Sequence, residues 1–337
     1  MLKRFIHYYK PHRRIFILDM LAALTVALIG ILYPIITRQM LNKLIPERQY
    51  RLIVVFGVGL LVLYLLRMLL NYFIQYYGHV MGIRMQAEMR SDMFRHLEKL
   101  PYSFYDNHET GRLMSRLTND LMDISELAHH GPENLIISSI SIVASFLYLS
   151  SINFTLTLIV FACVPFLIIV STHYRKAMKA AFRARRKSDA TINAAVESSI
   201  TGIRVTKAYA NSEHEQERFE KNNMGFVKAR SKAYKAMGTF SSSMNLVTSV
   251  YNVIVLLAGG LFCIYDSANF DYVDLVAFML SINLFISPIQ TLIGFFEQLQ
   301  DGVTGFKRFD EIMETPAEED SPEAIDVDRF EGSVDFV

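Results

Sequence analysis

The stretch from Leu52 to Leu100 reads LIVVFGVGLLVLYLLRMLLNYFIQYYGHVMGIRMQAEMRSDMFRHLEKL. Its first half is apolar for longer than the roughly 20 residues that a helix needs to cross a bilayer. No proline or turn cluster separates that half from the charged second half, and the first breaker is Pro101. A continuous helix rising 1.5 Å per residue would run to about 70 Å, more than twice the hydrocarbon thickness. The stretch therefore predicts a membrane helix that continues well beyond the lipid.

Working outward, six segments are long and apolar enough to span: about 15–36, 52–77, 135–152, 154–174, 244–264 and 273–296. The third and fourth share a break at Ser150–Asn153. One bent hairpin is an alternative there, but nearly forty apolar residues fit two spans joined by a tight turn better. The apolar fraction of 52% and a mean hydropathy of +0.25 agree with a membrane class. The basic N-terminus followed by an apolar run resembles a signal peptide, yet the run from Ile15 to Ile36 is too long for one and is read as a retained span.

Side assignment rests on Lys and Arg near the span ends. RKAMKAAFRARRK, Arg175 to Lys187, holds seven basic residues and no acid, whereas Tyr265–Tyr272 is acidic through Asp266 and Asp271. The short Asn42–Arg51 loop is mildly basic and points weakly the other way. The balance predicts cytoplasmic termini and cytoplasmic long connections, His79–Asn134 and Arg175–Ser243. Neither connection has a linker's composition, and each carries helical periodicity: Leu113, Leu117, Leu121 and Ile124 in one, Ile192, Val196, Ile200 and Ile203 in the other. Two helical hairpins reaching into the cytoplasm are expected.

Each hairpin reverses in a distinctive tip. In the first, Pro101 stops the descending helix, Gly111 is expected to permit the turn into the ascending one, and Tyr102, Phe104 and Tyr105 lie between them. These rings either pack on their own hairpin or form a rigid docking knob for a partner. In the second, a turn is expected near Ala210–Ser212, with Ser212 and Glu215 spaced as a capping box.

LPYSFYDNHETGRLMSRLTND (100–120) resembles the first intracellular coupling segment of the ABC exporter family. ESSITGIRVTKAYANSEHEQERF (197–219) is similar to the second. GFKRFDEIMETP (305–316), then FEGSVDFV (330–337), resembles the exit from the sixth span and the first strand of a nucleotide-binding domain. The resemblance covers essentially the whole chain. It implies an all-α exporter transmembrane domain over 1–315, an acidic linker over 316–330, and the start of a nucleotide-binding domain over 331–337. It further implies a dimer of halves in which coupling helices dock into grooves on ATP-binding cassette domains, the second reaching the partner's domain through a crossover of spans four and five. On this pattern the coupling positions are Tyr102, Ser103, Phe104, Tyr105, Asp106, Asn107 and His108 in the first tip. In the second they are Ala210, Asn211, Ser212, Glu213, His214 and Glu215.

The sequence departs from that family in one respect. It contains no G-x-x-x-x-G-K-[ST] loop to cradle phosphate, so these residues cannot themselves hydrolyse ATP. They read as the membrane part of a longer exporter, with ATP and Mg expected in the domain beyond Val337. No catalytic or metal-ligating constellation is read here, nor any nucleic-acid-binding feature. Cys163 and Cys263 lie in apolar runs without ligand spacing, and the adjacent His129 and His130 show no metal motif either.

Polar residues inside the spans are the candidates for a translocation cavity. Arg67, Asn71 and Gln75 continue a stripe begun at Tyr64. Asn245, Ser249 and Asn252 line one face of span five. Asn283, Ser287 and Thr291 line one face of span six, where Pro288 is expected to kink the helix. Interhelical hydrogen bonding, at about 1 kcal/mol each, is the other reading of the neutral groups, and a structural ion pair or snorkelling is favoured for Arg67. Asp19 reads as interfacial. The leading function is the permease half of an ATP-driven exporter in the plasma membrane, moving an amphipathic drug, lipid or peptide. A nucleotide-independent channel and a scaffold that docks cytoplasmic partners are the alternatives.

Overall fold

A computed structural model describes residues 2–266, 269–318 and Gly332. Among them the regular structure is helical throughout. Six helical runs are long and apolar enough to cross a membrane: Arg13–Leu44, Tyr50–Leu97, Thr110–Ile152, Phe154–Thr201, Ser212–Tyr265 and Tyr272–Met313. The opening stretch does form one run, made of α3 (Tyr50–Phe73), a π segment (Ile74–Gly78) and α4 (His79–Leu97). The expected break between spans three and four falls at Asn153, between α7 (Leu121–Ile152) and α8 (Phe154–Ala162). The Asn153 side chain caps α8 by accepting the Leu156 N–H at 2.8 Å.

The chain divides into two compact units. The first comprises Met1–Met20, Phe73–Pro132 and Glu297–Val337. Its core is built on a methionine ladder: Met81, Met85, Met89 and Met93, four apart on α4, are all buried. They pack with Tyr8, Leu121, Ile124 and Ala128, and with Phe306, Phe309 and Ile312 of α13 (Asn283–Met313). Unbranched thioethers fill such irregular helix–helix gaps readily, and these four methionines serve packing.

Charge also ties this unit together. Arg4 of α1 (Leu2–His7) pairs with Asp310, and Arg308 donates to both carboxylate oxygens of Asp120 at 3.2 and 3.3 Å. The Tyr8 hydroxyl donates to Asp92 at 2.9 Å; burial first and that carboxylate second raise its pKa. Beyond α13, His96 lies 3.0 Å from the Thr315 carbonyl, and the Glu318 N–H donates to the Lys99 carbonyl at 2.7 Å. The described start of the expected linker is thus fastened to the end of α4. The remainder of that linker, and the expected strand over 331–337 apart from Gly332, lie outside the described residues.

The second unit is Leu21–Tyr72 with Glu133–Phe296. Here α9 (Val164–Thr201) and α11 (Ser212–Tyr265) run side by side as a long hairpin. Its core gathers Leu149, Leu156 and Val160 with Tyr251, Val255, Phe278 and Phe285. Asp271 opens α12 (Tyr272–Ser281) with a capping box, accepting the N–H groups of Val273 and Asp274 while Asp274 accepts the Asp271 N–H.

Asp274 also accepts from Arg38 Nε at 2.6 Å, with side-chain exposures of 7% and 35%. That pair neutralises a basic group beside the loop whose charge had pointed the other way in the side assignment. Removing Arg38 strands a buried carboxylate. We therefore expect Arg38→Ala to cost about 3 kcal/mol, seen as a lower unfolding midpoint in detergent. A second change, Asp274→Asn, keeps an acceptor oxygen and should recover more than half of the loss. A double variant no more stable than Arg38→Ala alone would count against the pair.

Several local expectations are corrected. Gly111 lies inside α6 (Thr110–Ser115) without a positive φ, and the chain instead turns at Asn107–Glu109, before that helix. Ser212 and Glu215 form no capping box, because Glu215 is turned back to accept from the Ser199 hydroxyl at 3.0 Å. Asp19 is covered by protein: it is fully buried, and a Cβ added at Gly78 would lie 3.5 Å from its carboxylate oxygens.

Candidate functional site

Two kinds of site were expected, hairpin tips and an intramembrane cavity. In the first tip, Pro101 stands as the extended residue before α5 (Tyr102–Asp106), a single-turn helix. Phe104 is only 9% exposed: it stacks on His108 at 4.0 Å, meets Tyr105 edge-on at 5.4 Å and joins the core of the first unit. The Tyr105 hydroxyl donates to the Leu97 carbonyl at 2.5 Å, and burial, then Glu98, raises its pKa. Asn107 folds back to donate to the Ser103 carbonyl at 2.8 Å. Tyr102 stands apart at 85% exposed, and Ser103 and Asp106 are exposed beside it. The aromatic cluster is thus divided: Phe104 builds the tip and Tyr102 presents it. Alternating burial around one helical turn produces this division, and composition alone does not reveal it.

The second tip contains a separate short helix that the sequence reading missed. Gly202 interrupts the descending helix after Thr201, and α10 (Ile203–Ala208) follows. Tyr209 is 80% exposed at its end, and Ala210 then takes a left-handed φ of 51°, which turns the chain into α11. Asn211 precedes α11 without a side-chain cap, and Ser212, Glu213 and His214 are exposed on its first turn while Glu215 is half-buried. The residues expected to form a coupling helix, Ala210–Glu215, therefore make a turn and the start of a long helix. The available sequence signal was Gly202 flanked by Ile200, Ile203 and Val205.

Within the second unit lies a cleft of about 210 Å³. Arg67 enters it from α3, and Asn283, Ser287 and Thr291 enter from α13, with Pro288 beside them. Asn134, Ser138 and Ser141 of α7 complete its polar lining; the sequence reading had passed over them because small hydroxyls inside an apolar run resemble ordinary packing. Apolar wall comes from Val26 and Ala27 of α2 (Arg13–Gln39) and from Ile137 and Leu284. Asn71, Gln75, Asn245 and Ser249 do not line the cleft and are exposed, and Asn252 donates to the Thr248 carbonyl at 3.1 Å. Among the described residues no ion pair joins Arg67 to a carboxylate, and Arg67 is one of the residues lining the polar cleft; the snorkelling reading is left open.

Six long apolar helical runs, two hairpin tips with short helices, and a polar cleft among apolar helices define a polytopic membrane protein. The family model for the ABC transporter transmembrane region matches residues 16–289, and the chain belongs to that family. It is 38% identical over 337 residues to the ABC transporter ATP-binding protein YwjA of Bacillus subtilis, covering 100% of this chain and 58% of that protein. It is 22% identical over 342 residues to the putative multidrug export ATP-binding/permease protein YgaD of the same organism, covering 99% and 59%. It is 25% identical over 320 residues to the ATP-dependent lipid A-core flippase of Thiobacillus denitrificans, covering 94% and 55%. The chain thus spans somewhat over half the length of the relatives it matches.

Proposed function

We propose that this chain is the permease half of an ATP-driven exporter, which moves an amphipathic substrate out of the cytoplasm by alternating access. The observation that carries the reading is the cleft: one cation and a row of neutral polar groups stand against apolar helix faces. A site of that composition suits a molecule with an apolar body and a polar or anionic end, whether lipid, drug or peptide. The names of the relatives, a lipid flippase and a multidrug exporter among them, agree with such a range.

On this reading the chain lies in the plasma membrane with both termini in the cytoplasm. It pairs with a second half-transporter, and its tips dock on ATP-binding cassette domains that hold ATP and Mg. Closure of those domains on nucleotide would move the hairpins together and switch the side from which the cleft is reached.

Single cysteines at Ser138, Asn283 and Ser287, placed in a full-length protein whose native cysteines have been replaced, test the mechanism. Labelling by a membrane-impermeant thiol reagent is expected at all three positions, with rates that change severalfold when a non-hydrolysable nucleotide and Mg are added. Labelling that is fast and indifferent to nucleotide would support a passive pore. Inaccessibility in every state would leave a scaffold role.

A further inference from the structure

The first unit holds a cluster that neither the transport reading nor the sequence motif absorbs. His129 and His130 are neighbours near the start of α7, and along the chain they have no ligand spacing. The fold adds a third ring, since His79 opens α4 beside them. Ring centroids lie 4.4 Å apart for His79 and His129, 5.0 Å for His79 and His130, and 4.0 Å for His129 and His130. One ring nitrogen from each of the three lies within 4.8 Å of the other two.

The hydrogen bonding shows what this pocket is prepared for. His129 is 2% exposed, and its Nδ1 lies 2.9 Å from the Ser125 carbonyl. A carbonyl only accepts, so Nδ1 carries the proton and Nε2 keeps its lone pair. That Nε2 is buried and has no hydrogen-bond partner; the same holds for His79 Nδ1. Buried polar atoms are nearly always satisfied. These two unpartnered nitrogens belong to a cluster whose ring nitrogens come within 4.8 Å of one another, the setting in which a shared cation would satisfy both. Donation of the second ring N–H to a backbone carbonyl is also the arrangement that fixes the tautomer and orientation of a metal-ligating histidine. Glu126 lies 3.7 Å from His130 Nε2 and brings negative charge to the edge of the cluster. The close approach is built into the backbone: a Cβ on Gly82 would fall 2.8 Å from Ser125 Oγ and 2.9 Å from His129 Nδ1. Only glycine lets α4 lie this near α7.

We propose that His79, His129 and His130 bind one divalent transition cation of the zinc class, joining α4 to α7. Neutral imidazoles are ligands for zinc and its neighbours and poor ones for magnesium or calcium. Tetrahedral coordination with Zn–N bonds of about 2.0–2.1 Å sets nitrogens about 3.4 Å apart, so rotamer adjustments of about an ångström close the site. Three protein ligands leave a fourth position for water. The inference is independent of what the cleft carries.

The test uses tag-free full-length protein in detergent with Zn2+ alone, titrated in competition with a chromogenic chelator. One tightly held Zn2+ per chain is expected, together with a rise in unfolding midpoint and, for Co2+, the visible absorption of tetrahedral coordination. His130→Gln, at a position where 24% of the side chain is exposed, should weaken binding at least about tenfold, as should His79→Gln. Each is read only where the variant stays monodisperse with an apo unfolding midpoint near that of the wild type. His129→Gln should do the same where it remains monodisperse, and the other two variants decide the matter where it does not. Failure of the wild type to hold stoichiometric Zn2+ would overturn the proposal. So would affinity unchanged in His130→Gln and His79→Gln, which would put the metal elsewhere.

Discussion

Tyr102→Ala and Tyr209→Ala, combined in the full-length protein, are expected to lower substrate moved per ATP hydrolysed by at least about tenfold while the protein stays folded. The two rings are 85% and 80% exposed, each on or beside a short helix at a hairpin tip. Rigid aromatics at the centre of a docking contact commonly carry about 2 kcal/mol or more each, so truncating two of them should break a coupling contact. Exposed side chains contribute little to the fold, and the unfolding midpoint should hardly move. Transport and ATPase rates measured side by side in proteoliposomes would show continued hydrolysis with little transport. Full coupling in the double variant would remove the tips from the mechanism. The choice of residues is decided by the structure. Phe104→Ala is an obvious alternative from sequence, but Phe104 is a core residue, and emptying its site should cost about 3–5 kcal/mol. Any lost transport there would report unfolding.

The second large effect concerns Arg67. Arg67 lines the cleft, and among the described residues it forms no ion pair with a carboxylate. If it receives the anionic end of a substrate, Arg67→Ala removes a charge-assisted hydrogen bond worth about 1.5–3 kcal/mol. That corresponds to roughly a 10- to 150-fold rise in the apparent KM for an anionic amphiphile, with little change for a neutral one of similar size. Arg67→Lys should recover part of the loss, since it keeps the charge but not the planar fork. Equal effects on anionic and neutral substrates would assign Arg67 to packing instead. Substrate-stimulated ATPase activity, measured over a concentration series of each, separates the outcomes.

Much of this was legible along the chain because it depends on runs of residues. The Leu52–Leu100 stretch sets a helix longer than a bilayer by apolar length and the absence of a breaker. Asn153 marks the one-residue turn between two spans, and the charged hairpins follow from periodicity. The tip sequences carried the family resemblance that residues 16–289 confirm. Less legible were features that depend on which side of a helix faces a neighbour. Ser138 and Ser141 look like packing residues until α7 is laid beside α3 and α13. Asn71 and Asn245 share a helical face with other polar groups in the sequence, yet in this chain they are exposed and lie outside the cleft that Arg67 lines.

What the sequence determined by itself, then, was the set of long helices and the order in which tips interrupt them, because hydrophobic length and chain breakers act locally. The tertiary structure decided convergence. It placed Phe104 inside and Tyr102 outside, brought Arg67 to three α13 residues more than two hundred positions away, and set His79 against His129 across the gap that Gly82 leaves open. Those outcomes depend on contacts between distant segments, where a change in helix rotation exchanges a buried face for an exposed one.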